Sequence, residues 1–240
     1  LLIGGESIDS STGETFDDIN PATLENLATV QVAGIEDVDR AVSAAEAGFR
    51  VWSEVPAPGR ADVLFRAARI LQERKEDLAV LMTEEMGKVL PEARGDVQEA
   101  IDITNYAAGE GRRMFGDTTT SELKDKFCMT VLRPIGVVGM ITPWNFPIAI
   151  PSWKIMPALI AGNAVVFKPS SDTPLLAIKL VEILMEAGLP PGVVNIVPGP
   201  GGIVGEAIVQ HPRISAISFT GSLETGKWIM EECAKTMKRV

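Results

Sequence analysis

Two prolines bracket the stretch of this chain best suited to chemistry, Thr142-Pro143-Trp144-Asn145-Phe146-Pro147. Each proline fixes its own φ and drives the residue before it out of the α region, so Trp144 and Asn145 sit on a stiff turn. A planar amide held this way suits a catalytic hydrogen-bond donor. It also suits a structural turn. Lys168 closes an apolar run and precedes a proline. A lysine there either snorkels to the surface or binds an anion or hydroxyls.

Two glycine-bearing stretches add phosphate chemistry. Gly199-Pro200-Gly201-Gly202-Ile203-Val204-Gly205 approximates a dinucleotide fingerprint, but its third glycine falls one residue late. By itself it reads as a strand-to-helix turn. Thr220-Gly221-Ser222 precedes a helical pattern, where free backbone N–H groups attract phosphate. Ser222 reads equally as a simple N-cap, and the two roles are compatible.

Other nucleophiles and ligands are scarce. Cys128 and Cys233 lack metal-ligand spacing, and the single histidine, His211, lies in a Gln-His-Pro-Arg turn. No metal site is read from them. A Ser-His-Asp triad would have to use His211, which argues against one. Glu231 and Glu232 precede Cys233 and oppose a reactive thiolate, and both cysteines read as structural.

The 240 residues are 46% hydrophobic and carry a net charge of −10 from dispersed acidic residues. That supports a sizeable core in one large domain or two small ones. It argues against nucleic acid as a partner. An anionic ligand must then be held locally, by backbone N–H groups or one lysine. No apolar run approaches a bilayer span, and residues 1–30 show no basic start before an apolar stretch. No membrane partner is read, and a cytoplasmic location is expected. The chain opens at Leu1, which leaves room for preceding residues.

The elements that must position these residues follow from periodicity. Residues 1–34 read as short strands and turns. Helical patterns follow: Val38, Ala41, Val42, Ala45, Phe49 and Trp52; then Leu64, Ala67, Ala68 and Leu71; then Leu78, Leu81, Met82 and Glu85, with Gly87 as C-terminal cap. A longer helix spans about Pro91 to Arg113. Residues 115–133 read as a β-hairpin whose exposed edges make it a candidate oligomer contact. From Val137, strands Val137–Ile141, Ala164–Lys168, Val193–Val197 and Ala216–Phe219 alternate with helices near 150–161, 174–187, 202–210 and 223–238. Thr173 is placed as N-cap and Pro174 as first helical residue of the second. Alternating apolar strands and helices give an α/β fold with a parallel sheet covered on both faces. Its ligands bind at the C-terminal strand ends, where the loops carrying Thr142, Lys168, Gly201 and Thr220 open on one edge.

The chain resembles the NAD(P)-dependent aldehyde dehydrogenase superfamily along its whole length. The carriers are Asn20-Pro21-Ala22-Thr23, Glu85-Met86-Gly87-Lys88, Arg133-Pro134-Ile135-Gly136-Val137-Val138-Gly139 and Pro143-Trp144-Asn145-Phe146-Pro147. To these are added Ala161-Gly162-Asn163-Ala164-Val165-Val166-Phe167-Lys168-Pro169-Ser170 and Phe219-Thr220-Gly221-Ser222. The resemblance implies a variant Rossmann sheet, doubly wound, preceded by a helical region and an oligomerisation hairpin, with a separate catalytic domain. It implies that Asn145 donates to the oxyanion formed when a cysteine thiolate attacks an aldehyde. Hydride then passes to nicotinamide, and a glutamate-activated water hydrolyses the thioester. It further implies cofactor contacts from Ile141, Thr142, Pro143, Trp144, Lys168, Pro169, Ser170, Ser171, Gly201, Gly205, Phe219, Thr220, Gly221 and Ser222. Among these, Lys168 meets the adenine ribose and Gly221-Ser222 starts the helix beside the pyrophosphate. A homodimer or homotetramer through residues 115–133 is implied as well.

Two departures qualify the resemblance. The glutamate-bearing Leu-Gly-Gly turn and the nucleophilic cysteine of the family do not occur before Val240, and neither Cys128 nor Cys233 matches the nucleophile's motif. Residues 1–240 are therefore expected to be a cofactor-binding domain lacking its last strand, with the catalytic domain missing. The 240-residue chain alone is expected not to oxidise aldehydes, and thiol-blockable NAD(P)H production by it would refute this. Secondly, Ser171 stands where NAD-preferring members often carry glutamate. That removes a repulsion against a 2′-phosphate, so NADP is expected to be accepted alongside NAD. The substrate class suggested is a semialdehyde or a small hydroxyaldehyde. The rival readings are an acyl-phosphate or acyl-CoA-linked reductase, and a non-catalytic nucleotide-binding or structural paralogue.

Overall fold

The computed structural model describes residues 1–240. The chain opens with β1 (Leu2–Ile3) and β2 (Glu6–Ser7), then the hairpin β3 (Thr15–Ile19) and β4 (Asn26–Gln31). Four helices follow, α1 (Ile35–Trp52), α2 (Ala57–Glu73), α3 (Lys75–Met86) and α4 (Leu90–Gly109). A second hairpin pairs β5 (Thr118–Thr120) with β6 (Phe127–Met129). Strands and helices then alternate: β7 (Val137–Ile141), α5 (Ala149–Ile160), β8 (Ala164–Lys168), α6 (Pro174–Glu186), β9 (Val194–Ile196), α7 (Glu206–Gln210), β10 (Ile214–Phe219) and α8 (Leu223–Ala234).

The main sheet runs β10-β7-β8-β9-β1-β2, and its first four strands are parallel. Successive side chains of a strand point to opposite faces, so the continuous apolar runs need cover on both. Val165 and Phe167 pack with Leu64, Val97, Leu159 and Leu180 on one face. Ala164 and Val166 pack with Val38, Val42, Val204 and Ile208 on the other. Gly139 lets α7 lie close on β7, since a Cβ there would come within 2.5 Å of Ile208 Cγ2.

Three boundaries differ from the sequence expectation. β1 and β2 join the main sheet as antiparallel edge strands, with Leu2 opposite Ile196 and the Gly4 N–H donating to Asn195 Oδ1 at 2.9 Å. Two-residue strands leave no periodicity to read. The segment expected as a helix from Gly202 begins as one π-helical turn, Gly201–Gly205, and only Glu206–Gln210 is α-helical. Glycine's weak helix preference permits that wide turn. The last helix stops at Ala234, not Lys238. Met237 takes a φ of 56°, and Arg239 bridges Ala216 in parallel while accepting the Ile217 N–H at 2.8 Å.

Candidate functional site

β7 pairs with β8 on one side and β10 on the other, so the direction of winding reverses between β7 and β10. Loops leaving two such strands diverge to opposite faces and open a crevice at their C-terminal ends. A cavity of about 450 Å³ lies there, lined by Ile141, Gly201, Gly202, Gly205, Trp228 and Ile229, among others. Ile141, Trp228 and Ile229 give it apolar walls, the glycines a bare floor, and Glu206, Glu224 and Thr225 a polar rim. A Cβ on Gly201 or Gly202 would meet nothing within 4 Å, and one on Gly205 would touch Ile141 Cδ1 and Lys168 Cδ at 3.8 Å. A flat heterocycle fits between such surfaces.

Groups able to bind phosphate stand beside the slot. The Ser222 hydroxyl accepts the Thr225 N–H at 3.2 Å, so the N-cap reading holds. The first N–H groups of α8 remain without intrahelical partners. The Phe219 ring folds over Gly221, where a Cβ would come within 2.5 Å of Cζ.

Lys168 does not snorkel. Its side chain is buried, and Nζ donates to the Pro169 carbonyl at 2.6 Å. Burial pulls its pKa down to about 8, against a smaller opposing influence from Asp172. No carboxylate pairs with it, so the ammonium group keeps donors to spare, while its stem passes beside Gly205. Ser171 is exposed, and its hydroxyl donates to the Gly199 carbonyl at 3.4 Å. Ser170 Oγ lies 3.1 Å from Asp172 Oδ2.

Asn145 is exposed on the turn after β7, and its side-chain amide makes no hydrogen bond within the chain. The turn is held by more than its prolines. Lys88 Nζ donates to the Asn145 carbonyl at 2.7 Å and to Asp96 Oδ2 at 2.9 Å, and lies 3.9 Å from the Phe146 ring centroid. Asp96 Oδ1 accepts the Ala149 N–H at 3.1 Å, which ties in the start of α5. Burial pushes the Asp96 carboxyl up, opposed by Lys88.

Lys88 and Asp96 were absent from the sequence-derived site. Asp96 had a readable signal, since it falls among the buried positions Ala93, Val97 and Ala100 of α4. Glu85 gave the same signal on the apolar face of α3 and proves buried. Thr173 is in the N-cap position of α6, but it makes no side-chain cap bond and its buried Oγ1 has no partner. Its expected task falls to Glu85, which accepts the N–H groups of Leu175 at 2.5 Å and Leu176 at 3.3 Å.

The remaining candidates lie away from the crevice or are committed elsewhere. His211 Nδ1 accepts the Arg213 N–H at 3.2 Å, so Nε2 carries the proton toward Asp39 at 3.1 Å. Cys233 is buried on the inner face of α8, and burial raises its pKa more than Glu232 does, while Lys238 opposes both. Cys128 sits on the β5–β6 hairpin.

Comparison with known proteins agrees with this geometry. The aldehyde dehydrogenase family model matches residues 8–240. The α-ketoglutaric semialdehyde dehydrogenase of Bacillus subtilis is 44% identical over 95% of this chain and 47% of its own length. The NADP(+) succinate-semialdehyde dehydrogenase of Escherichia coli is 41% identical over 100% of this chain and 50% of its own. The solved betaine aldehyde dehydrogenase of Staphylococcus aureus, in complex with NAD+, superposes with a TM-score of 0.96 at 38% identity, covering 99% of this chain and 48% of that one. The chain thus spans about half the length of the curated relatives it matches. With the crevice, the glycine floor and the held asparagine turn all in place, the chain belongs to the aldehyde dehydrogenase family.

Proposed function

We propose that this chain supplies the cofactor site and the oxyanion donor of an enzyme that oxidises an aldehyde to a carboxylic acid with NAD(P). The observation that carries the reading is the pairing of an unpartnered Asn145 amide with a buried, unpaired Lys168 on one sheet edge. The dinucleotide, when bound, supplies the hydride acceptor. Ile141 and Trp228 would flank the adenine over Gly201 and Gly205, while the start of α8 at Thr220, Gly221 and Ser222 would face the pyrophosphate. Lys168 would donate to ribose hydroxyls. Thr142, Pro143 and Trp144 form the strand end against which the cofactor lies, and Pro169 and Ser170 shape the loop beside Ser171. The Phe219 ring supports the turn at Gly221.

Asn145 would donate its side-chain N–H to the carbonyl oxygen as that oxygen gains negative charge. One such donor typically lowers a barrier by ~3–4 kcal/mol. The attacking thiolate belongs to a part of the protein outside residues 1–240, since Cys233 is buried and Cys128 lies on the hairpin. The bridge from Arg239 to Ala216 supports a further parallel strand on the β10 edge. Exposed Phe127, Met129 and Leu132 support self-association through the 115–133 hairpin. The relatives named for semialdehydes support a semialdehyde substrate. The 240-residue chain is expected to produce no thiol-blockable NAD(P)H, while the full-length protein does. Aldehyde-dependent absorbance at the nicotinamide band, with and without a thiol reagent, measures both.

Ser171 would admit NADP as well as NAD, because no carboxylate side chain stands at that position to repel a 2′-phosphate. Ser171→Glu in the full-length protein is expected to weaken NADP at least about tenfold, a change of ~1.4 kcal/mol, and to spare NAD. Kinetic constants for both cofactors test this, and equal loss for the two would remove Ser171 from the argument.

A further inference from the structure

Glu85 and Lys88 flank Gly87 at the end of α3, and each reaches a different loop of the crevice. Glu85 accepts the Leu175 and Leu176 N–H groups, which fixes the start of α6 and so the loop Pro169–Thr173 behind Lys168. Lys88 donates to the Asn145 carbonyl, which fixes the loop behind β7. The two arms diverge because Gly87 takes a φ of 77°. A side chain there would also press on Pro21 Cγ at 3.3 Å. Trp144 and Ser171, one from each loop, line the same cavity of about 380 Å³ as Glu85.

Resting on the functional reading above, we propose that Glu85-Met86-Gly87-Lys88 is a two-armed clamp that sets the distance between the cofactor-ribose loop and the oxyanion turn. Glu85 and Lys88 are positioning residues, acting through Ser171 and Lys168 on one side and Asn145 on the other. The orphaned Thr173 hydroxyl supports this, since the local residue that should cap α6 has ceded the task. Burial and the neighbouring Asp18 push the Glu85 carboxyl up, while the Leu175 and Leu176 amides pull it down. Glutamine keeps one acceptor, its Oε1, for the Leu175 N–H, and alanine removes both.

The test uses the full-length protein carrying this chain, with NADP+ as probe. In Glu85→Ala, the Leu175 and Leu176 amides are expected to exchange hydrogen at least about tenfold faster, because their acceptor is gone. The KM for NADP+ should rise about tenfold, an effect of ~1.4 kcal/mol, while kcat and the aldehyde KM stay within about twofold. Glu85→Gln should bring the Leu175 exchange rate and the NADP+ KM back to about threefold of the parent or better. Lys88→Met should show the reverse split, with kcat down about tenfold and the NADP+ KM nearly unchanged. Unchanged exchange at Leu175 and Leu176, a glutamine variant no better than alanine, or all constants falling together would overturn the clamp. If the alanine variant does not fold, Glu85→Met fills the space without an acceptor and is judged by the same outcomes. Parent protein that neither binds NADP+ nor oxidises aldehydes would defeat the functional reading instead, and exchange at Leu175 and Leu176 would still decide whether Glu85 holds α6.

Discussion

Lys168→Met is expected to raise the stability of the folded chain and to remove most of its affinity for the cofactor. The lysine is buried without a carboxylate partner, and its folded pKa of about 8 lies below the ordinary 10.5. Between those two values the unfolded chain binds more protons than the folded one, so stability rises with pH across that window. Below pH 8 the folded chain carries the whole burden of the buried charge, at most roughly 3 kcal/mol from a difference of this size. Methionine keeps the methylene packing against Gly205 and drops the charge. Thermal midpoints should therefore rise at neutral pH and lose their upward trend above pH 8. Calorimetric titration should show NAD(P) affinity falling about a hundredfold, or ~2.7 kcal/mol. A less stable variant with unaltered affinity would make Lys168 a structural residue only.

Asn145→Ala in the full-length protein carries the second large effect. The amide makes no bond within the chain, so its removal should leave folding untouched. The Lys88 contact is to the backbone carbonyl and survives the substitution. Loss of one preorganised oxyanion donor lowers kcat by about a hundred- to a thousandfold. Cofactor affinity should stay within about twofold, since a transition-state contact leaves ground-state binding alone. Steady-state kinetics beside a cofactor titration separates the two. An intact kcat would place the oxyanion elsewhere.

These expectations rest on features that differ in how plainly the residues announce them. β7 and β8 were readable to the residue, because strands buried on both faces must be continuous apolar runs, here ended by a proline turn and by Lys168. The loops at their ends were readable for the same reason, as parallel pairing puts every C-terminal strand end on one edge. The chemical state of Lys168 was not readable. Periodicity placed it at a strand end, but only the fold shows that it stays buried. The Thr173 cap failed because a local rule was applied to a helix whose first N–H groups are met by the Glu85 side chain, 90 residues away. Lys88 and Asp96 escaped for a similar reason. Lys88 lies in the turn after α3 and pairs with Asp96 on α4, and a charge on an apolar helix face signals a partner without saying which. Short strands were legible near the start of the chain, but the pairing of β1 with β9 was not, because it rests on a single residue pair at the sheet edge.

The central claim is that a dinucleotide occupies the crevice between β7 and β10. Amide hydrogen exchange of the protein, measured across a titration with NADP+, tests it most directly. Saturable protection is expected, confined to Gly201–Gly205, the loop after β8 and the first turn of α8. Absence of saturable protection there, or protection centred on other elements such as α2 and α4, would contradict it.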